Sequence, residues 1–299
     1  MGLFGWISRR LDPGHTIEDL ASRLKVDPSA LKSLAPRYHS FRISKRSGGF
    51  RTIDAPDQPL KRMQRLILRR LLTGLKTHHC VFGFERGRSI VDHAQQHCGQ
   101  AVVIRLDIVG FFPSTSSKRL YQYFRFIGWN RKASRLLVRL TTHKGHLPQG
   151  APTSPRLSNL VNFRLDARLE AMLRQVCGSD ARFSRYADDL TFSIGYERTG
   201  MVEEIIRNAS KIVGAEGYRL HRKKKTHILR SHQRQIIAGL VVNETVNLPR
   251  ETRRWLRAVE HRARHGRDAT LSPAQRAGWR SLLNMIHNQR NKRSSPHAR

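Results

Sequence analysis

Acidic residues are scarce in this chain: 22 of 299 positions are Asp or Glu, against 56 Lys and Arg, for a formal net charge of +34. A field of that size and single sign disfavours cationic partners, draws polyanions and speeds their encounter. Nucleic acid is the favoured partner, because each phosphate neutralised by Lys or Arg releases condensed counterions. A ribosomal-type basic protein and a membrane-surface binder are the alternatives. Long apolar runs are missing too. No stretch approaches the ~20 residues that cross a bilayer. The Leu3, Phe4, Trp6, Ile7 cluster is shorter than a secretory core and lacks a cleavage pattern. Cysteine is limited to Cys80, Cys98 and Cys177, too few and too scattered for a disulfide scaffold. The expectation is a cytoplasmic protein with no membrane partner. No internal repeat is visible.

What is present is periodic. Residues 12–35 read as two short helices, the first opened by a Thr16–Asp19 cap and the second by Asp27-Pro28. They suit a packing hairpin better than half of a DNA-reading helix pair. Residues 41–54 predict a β-hairpin with Phe41, Ile43 and Lys45 on one face and Gly48-Gly49 at the turn. Residues 59–75 predict a basic amphipathic helix, 101–107 a buried strand ending in an acid, and 154–172 a helix opened by Ser-Pro. A second hairpin is expected over 182–194 with its turn at the Asp188-Asp189 pair, a helix over 202–216 and a strand over 235–242. Residues 250–299 carry 13 basic and 3 acidic side chains and predict two helices with basic outer faces, then a solvated tail from Asn288.

Joining a nucleotide to a 3′ end needs a deprotonated hydroxyl and a neutralised triphosphate, and two divalent cations ~3.5–4 Å apart supply both. In so basic a chain, a strand-end acid and an adjacent acid pair stand out. Asp107, Asp188 and Asp189 are therefore the candidate ligands of two Mg²⁺ ions, with Mn²⁺ a substitute, since hard oxygen donors suit these ions. Taken singly, each acid is also ordinary turn chemistry. His93 and His97, at helical i, i+4 spacing beside Cys98, lack the further ligands of a zinc site.

The ordered set LDIVGFFPS (106–114), LPQGAPTSPRLSNL (147–160) and RYADDLTFS (185–193) resembles the palm of reverse transcriptases, and FRISKRSGGFRTIDAP (41–56) resembles the fingers of the bacterial ones. The similarity runs from about Tyr38 to about Asn243. The Gln-Gly-Ala-Pro-Thr-Ser-Pro form, an insertion before the first acid, and IAGLVVN at 237–243 resemble the retron type. Two retron elements are altered here, to His93-Ala94-Gln95-Gln96-His97 and to Ile237-Ala238-Gly239.

The resemblance implies an α+β right-hand polymerase. Its segments would be an N-terminal helical piece (1–35), fingers (36–105), a palm with an antiparallel sheet (106–245) and a small helical thumb with a basic tail (246–299). It implies an RNA-directed DNA polymerase copying part of a structured non-coding RNA, template and primer at once, into single-stranded DNA (msDNA). A role in anti-phage defence beside a separate effector protein is also implied. The Ile108 carbonyl would assist the metal acids. The dNTP pocket would comprise Lys45, Arg51, Gln149, Gly150 and Lys225, with Phe112 as the steric gate against ribose. RNA contacts are expected at His97, Arg253, Arg254 and Arg257. The competing readings are a group II intron-like or abortive-infection reverse transcriptase, and a non-catalytic RNA-binding scaffold.

Overall fold

The computed structural model describes residues 12–45, 48–221, 226–265 and 270–294, the final helix as backbone only beyond residue 289. Among these residues, buried apolar side chains gather into three cores.

The first core is helical. The helix Ile17–Leu24 starts with a complete capping box, Asp19 N–H donating to Thr16 and Thr16 N–H to the Asp19 carboxylate, and ends at Lys25 in the left-handed region. Asp27 caps the helix Pro28–Ser33. Both bury leucines (Leu20, Leu24, Leu31) against the helix Gln58–Ile67 and against two helices not expected from the sequence, Ser117–Phe126 and Arg131–Thr141. The expected helix over 59–75 is not regular throughout. Its last stretch, Leu68–Leu72, widens into a π turn. The Thr73 hydroxyl takes the Leu68 carbonyl at 2.7 Å, and Arg156 takes the carbonyls of Leu72 and Leu75, so the loosened turn keeps its bonds.

The second core surrounds a four-stranded antiparallel sheet, β3 (Val102–Asp107), β4 (Arg182–Tyr186), β5 (Asp189–Ile194) and β6 (His227–Arg230), in the order β4-β5-β3-β6. The first hairpin, β1 (Tyr38–Ser44) with β2 (Phe50–Pro56), pairs as expected, Phe41 opposite Ile53 and Ile43 opposite Arg51. Behind the sheet lie the helices Phe163–Cys177 and Met201–Ala215. The helix expected over 154–172 is two, Ser154–Val161 and Phe163–Cys177. At the break, the Asn162 amide donates to the Ser158 carbonyl and to the Tyr218 hydroxyl, competing with the backbone ladder.

The third core joins the helix Ile90–Gln95, the segment 237–248 and the two C-terminal helices, Arg250–Arg264 and Pro273–Ser294. The single strand expected over 235–242 is instead a tight hairpin, β7 (Ile236–Ile237) with β8 (Leu240–Val241). Ala238 and Gly239 both take positive φ, 48° and 83°, as a two-residue turn matched to strand twist requires. The solvated tail expected from Asn288 is helical as far as Ser294, and Gln289 donates to the Asp92 carboxylate at 2.9 Å. The three cysteines are buried free thiols. Among the described residues, no helix is long and apolar enough to cross a membrane.

Candidate active site

Strand register brings the acids together. On β3 and β5 Asp107 lies directly opposite Asp189, while Asp188 sits in the turn leading from β4 to β5. The Ile108 N–H donates to the Asp188 carbonyl at 3.0 Å, tying the turn to the end of β3, and Ile108 is otherwise buried. All three carboxylates stay partly open to solvent. Their mutual repulsion is eased by cationic and polar neighbours: Arg105 approaches Asp189 at 3.3 Å, and His221 Nε2 lies 3.3 Å from Asp107 Oδ1. Asp107 and Asp189, paired across the sheet with Asp188 next in the chain, offer the hard oxygen donors that a divalent ion takes.

The turn bearing Asp188 is strained and buttressed. Ala187 holds φ 56°, a region costly for a residue with a Cβ. Beneath it Arg185, fully buried, grips both oxygens of the equally buried Asp166 at 2.6 and 2.7 Å. The same guanidinium donates to the Ala187 carbonyl at 3.2 Å and to Asn159 at 3.1 Å. Burial disfavours the Arg185 charge, and the Asp166 carboxylate overcompensates, raising the guanidinium pKa. Asn159 in turn donates to the Gly83 carbonyl and to Glu85. The 80–83 segment runs along the free side of β4, with Phe82 N–H bonded to the Arg185 carbonyl and Arg185 N–H to that of Cys80. Gly83 presses so closely on the turn that an added Cβ would lie 2.7 Å from the Ala187 nitrogen. Only glycine fits there.

The expected nucleotide-side residues fall into two groups. Phe112 lies in the one-turn helix Phe111–Ser114 just past β3, half-buried between the first and second cores, with its ring 5.6 Å from Phe111 and 6.1 Å from Phe84. Gln149 and Gly150 dock on the β1–β2 hairpin: the Gln149 carbonyl accepts from Asp54 N–H at 2.8 Å. A Cβ at Gly150, φ 129°, would come within 2.9 Å of Ile53, so glycine is needed for this approach. Lys45 and Arg51 stand exposed on that hairpin. Lys225 lies outside the described residues.

The RNA-facing expectations divide. Arg253, Arg254 and Arg257 are exposed on the helix Arg250–Arg264, and Arg253 and Arg257 line a groove of about 690 Å³ with Arg250, Arg264 and Leu283. His97 requires a correction. It is fully buried between two strand serines, its ring nitrogens 2.7 Å from Ser193 Oγ and 2.6 Å from Ser184 Oγ, and so faces no RNA. Burial drives it well below the usual histidine range and pushes His93, with Arg105 adding to the effect, down to about 3. Arg105, Asp166, Arg185 and His221 were missed from sequence. The available signal was charge at apolar positions: Arg185 in a buried strand and Asp166 in a leucine-rich helix have reason to be there only if they meet.

Comparison with known proteins agrees with this geometry. The family model described as "Reverse transcriptase (RNA-dependent DNA polymerase)" matches residues 43–256. The retron Mx65 reverse transcriptase of Myxococcus xanthus is 35% identical over 91% of this chain and 68% of its own length. The retron Mx162 reverse transcriptase of the same organism is 35% identical over 84% of this chain, which spans 59% of that relative. The retron Ec86 reverse transcriptase of Escherichia coli is 29% identical over 93% of this chain and 87% of its own length. In fold, the chain superposes on a solved telomerase from Candida albicans with a TM-score of 0.53 at 11% identity, covering 78% of this chain and 49% of the telomerase chain. The mixed helical and antiparallel architecture is the right-hand polymerase fold. With acids, scaffold and kinship in agreement, the chain belongs to the reverse transcriptases, RNA-directed DNA polymerases, and among them to the retron type.

Proposed function

We propose that the chain copies part of a structured non-coding RNA into single-stranded DNA, with Asp107, Asp188, Asp189 and the Ile108 carbonyl holding two Mg²⁺ ions at the site of nucleotidyl transfer. The observation that carries this reading is the in-register pairing of Asp107 with Asp189 beside a turn that bears Asp188. When bound, the two ions would acidify the primer hydroxyl and offset the charge of the leaving pyrophosphate. The chain's own residues do the rest. Lys45 and Arg51 take the incoming triphosphate, one as a point charge and the other as a planar fork, and Lys225 attends the leaving group. Gln149 and Gly150 line the nucleotide pocket, and the Phe112 ring crowds the position of a ribose 2′-hydroxyl. Arg253, Arg254 and Arg257 hold the nucleic-acid backbone without reading bases.

The retron relationship supports the finer parts of the proposal. These are priming from a 2′-hydroxyl of the same RNA, an msDNA product, cytoplasmic action, and a defensive role against phage beside a separate effector protein. Two experiments test it. Replacing Asp188 and Asp189 together with Ala should abolish DNA synthesis while the protein stays folded and RNA-bound; synthesis that survives would overturn the site. Sequencing nucleic acid that copurifies with the chain should return a short RNA joined to DNA; RNA alone would overturn the product.

A further inference from the structure

Away from the acid turn, the chain gathers another set of metal-binding groups that polymerisation does not use. His78 is buried and His79 exposed, on the segment that precedes the 80–83 stretch along β4. Both face Glu170 on the helix Phe163–Cys177: His79 Nε2 lies 2.8 Å from one carboxylate oxygen and His78 Nε2 3.9 Å from the other. Two imidazole nitrogens and a carboxylate oxygen, one per residue, fall within 4.8 Å of one another.

The surroundings of His78 argue that this is more than a chance ion pair. Its ring is fixed on one edge by Cys80, Nδ1 to Sγ 3.2 Å, and packed edge-on against Phe163 at 5.0 Å. Burial, reinforced by the neighbouring His79, holds His78 below the usual histidine range. A separation of 3.9 Å is too long for a hydrogen bond to Glu170. It is the kind of spacing that a shared ion closes with a slight inward movement. The partner on Nδ1 does what outer partners of metal-bound histidines do, setting the ring's orientation.

We propose that His78, His79 and Glu170 form a binding site for a Zn²⁺-class transition ion, with water completing the coordination on the exposed His79 side. Imidazole donors select such ions, whereas the all-oxygen acid turn suits Mg²⁺, so the two sites differ in chemistry as well as place. The role is a staple. Glu170 lies one helical turn after Asp166, on the same face of the helix. Asp166 holds Arg185 on β4, and Glu170 would hold the segment that pairs with Arg185 from the other side. A bound ion thus locks both edges of the bed on which the Ala187 turn rests. The competitor for the carboxylate is Arg174, 3.2 Å away but largely exposed and free to swing aside.

The test uses the full-length, metal-stripped protein with excess Mg²⁺ present, titrated with Co²⁺ as a spectroscopic stand-in. One equivalent should develop the visible absorption of a nitrogen-ligated ion and be displaced by Zn²⁺. His79→Ala, at an exposed position that should not disturb folding, and Glu170→Gln should each weaken binding by more than about tenfold, since even losing an outer-shell partner costs that much. Zn²⁺ should also raise the melting temperature of the parent and not of His79→Ala. A spectrum absent from the parent, or unchanged in both variants, overturns the proposal and leaves Glu170 an ordinary partner of His79 and Arg174. A spectrum lost in His265→Ala but kept in His79→Ala also overturns it, by assigning the ion to the neighbouring His261–His265 pair.

Discussion

Arg185→Met should separate the two jobs of the buried guanidinium. The substitution keeps most of the side chain's length and removes its charge, leaving the Asp166 carboxylate fully buried without the fork that now holds it at 2.6 and 2.7 Å. Breaking a buried pair from one side costs about 3–5 kcal/mol. For a chain of this size each kcal/mol moves the melting temperature by roughly 2–3 °C, so the variant should melt about 6–15 °C below the parent. Adding Asp166→Leu removes the stranded charge and should restore the part of that loss which the charge causes, because apolar replacements of such pairs are close to neutral. It does not restore the bond to the Ala187 carbonyl or to Asn159, each worth about 1–3 kcal/mol when left unmet. The double variant should therefore regain stability while DNA synthesis stays depressed, since the strained turn beside Asp188 has lost its support. Thermal unfolding by circular dichroism and primer extension on a defined RNA template read the two effects separately. A single variant that melts within about 2 °C of the parent, or a double variant less stable than the single, refutes the electrostatic reasoning. A double variant recovering full synthesis refutes the positioning role.

Other perturbations follow from the same geometry. Phe112→Val, which keeps a branched apolar group between the two cores, should relax discrimination against ribonucleotides by about tenfold or more, measured as the ratio of kcat/KM for dNTP and rNTP; unchanged selectivity removes the gate. His93 is buried and its pKa depressed to about 3, so the unfolded chain takes up its proton first as pH falls below ~6.5. Its contribution is intact above that value and is lost progressively toward pH 3, at up to about 1.4 kcal/mol per pH unit. Denaturant unfolding at pH 7 and pH 5 should show a shallower loss for His93→Phe, and an identical slope in variant and parent contradicts this. RNA affinity should fall steeply with salt, and Arg253→Ala with Arg257→Ala should reduce the log–log slope by about two. A salt-independent affinity would argue against a backbone grip.

How much of this was legible in the sequence depended on distance along the chain. The capping box at Thr16–Asp19, the β1–β2 hairpin and the meeting of Asp107 with the Asp188-Asp189 pair were readable, because local periodicity and turn chemistry specify them. The break at Asn162 and the π turn at Leu68–Leu72 were not, because each depends on a side chain finding a carbonyl that periodicity does not weigh. His97 was expected at the RNA because its partners, Ser184 and Ser193, lie 87 and 96 positions away. The strand β6 was not anticipated, because its four residues, His227–Arg230, are too few at the edge of the sheet to show alternation. The Arg185–Asp166 pair spans a helix and a strand, and no local pattern connects them.

The order of the sheet has a consequence for synthesis. The helical core that begins at Leu20 is complete once Val161 has emerged, and the ribosome delivers it before most of the sheet exists. Within that stretch lies β3, whose neighbours arrive much later: β5 begins at Asp189 and β6 at His227. For that interval a strand of nearly continuous apolar residues waits with both edges unsatisfied, a template for any other extended chain. Slow translation between residues 107 and 189 should therefore lower soluble yield, and chaperones that shield bare strand edges should raise it.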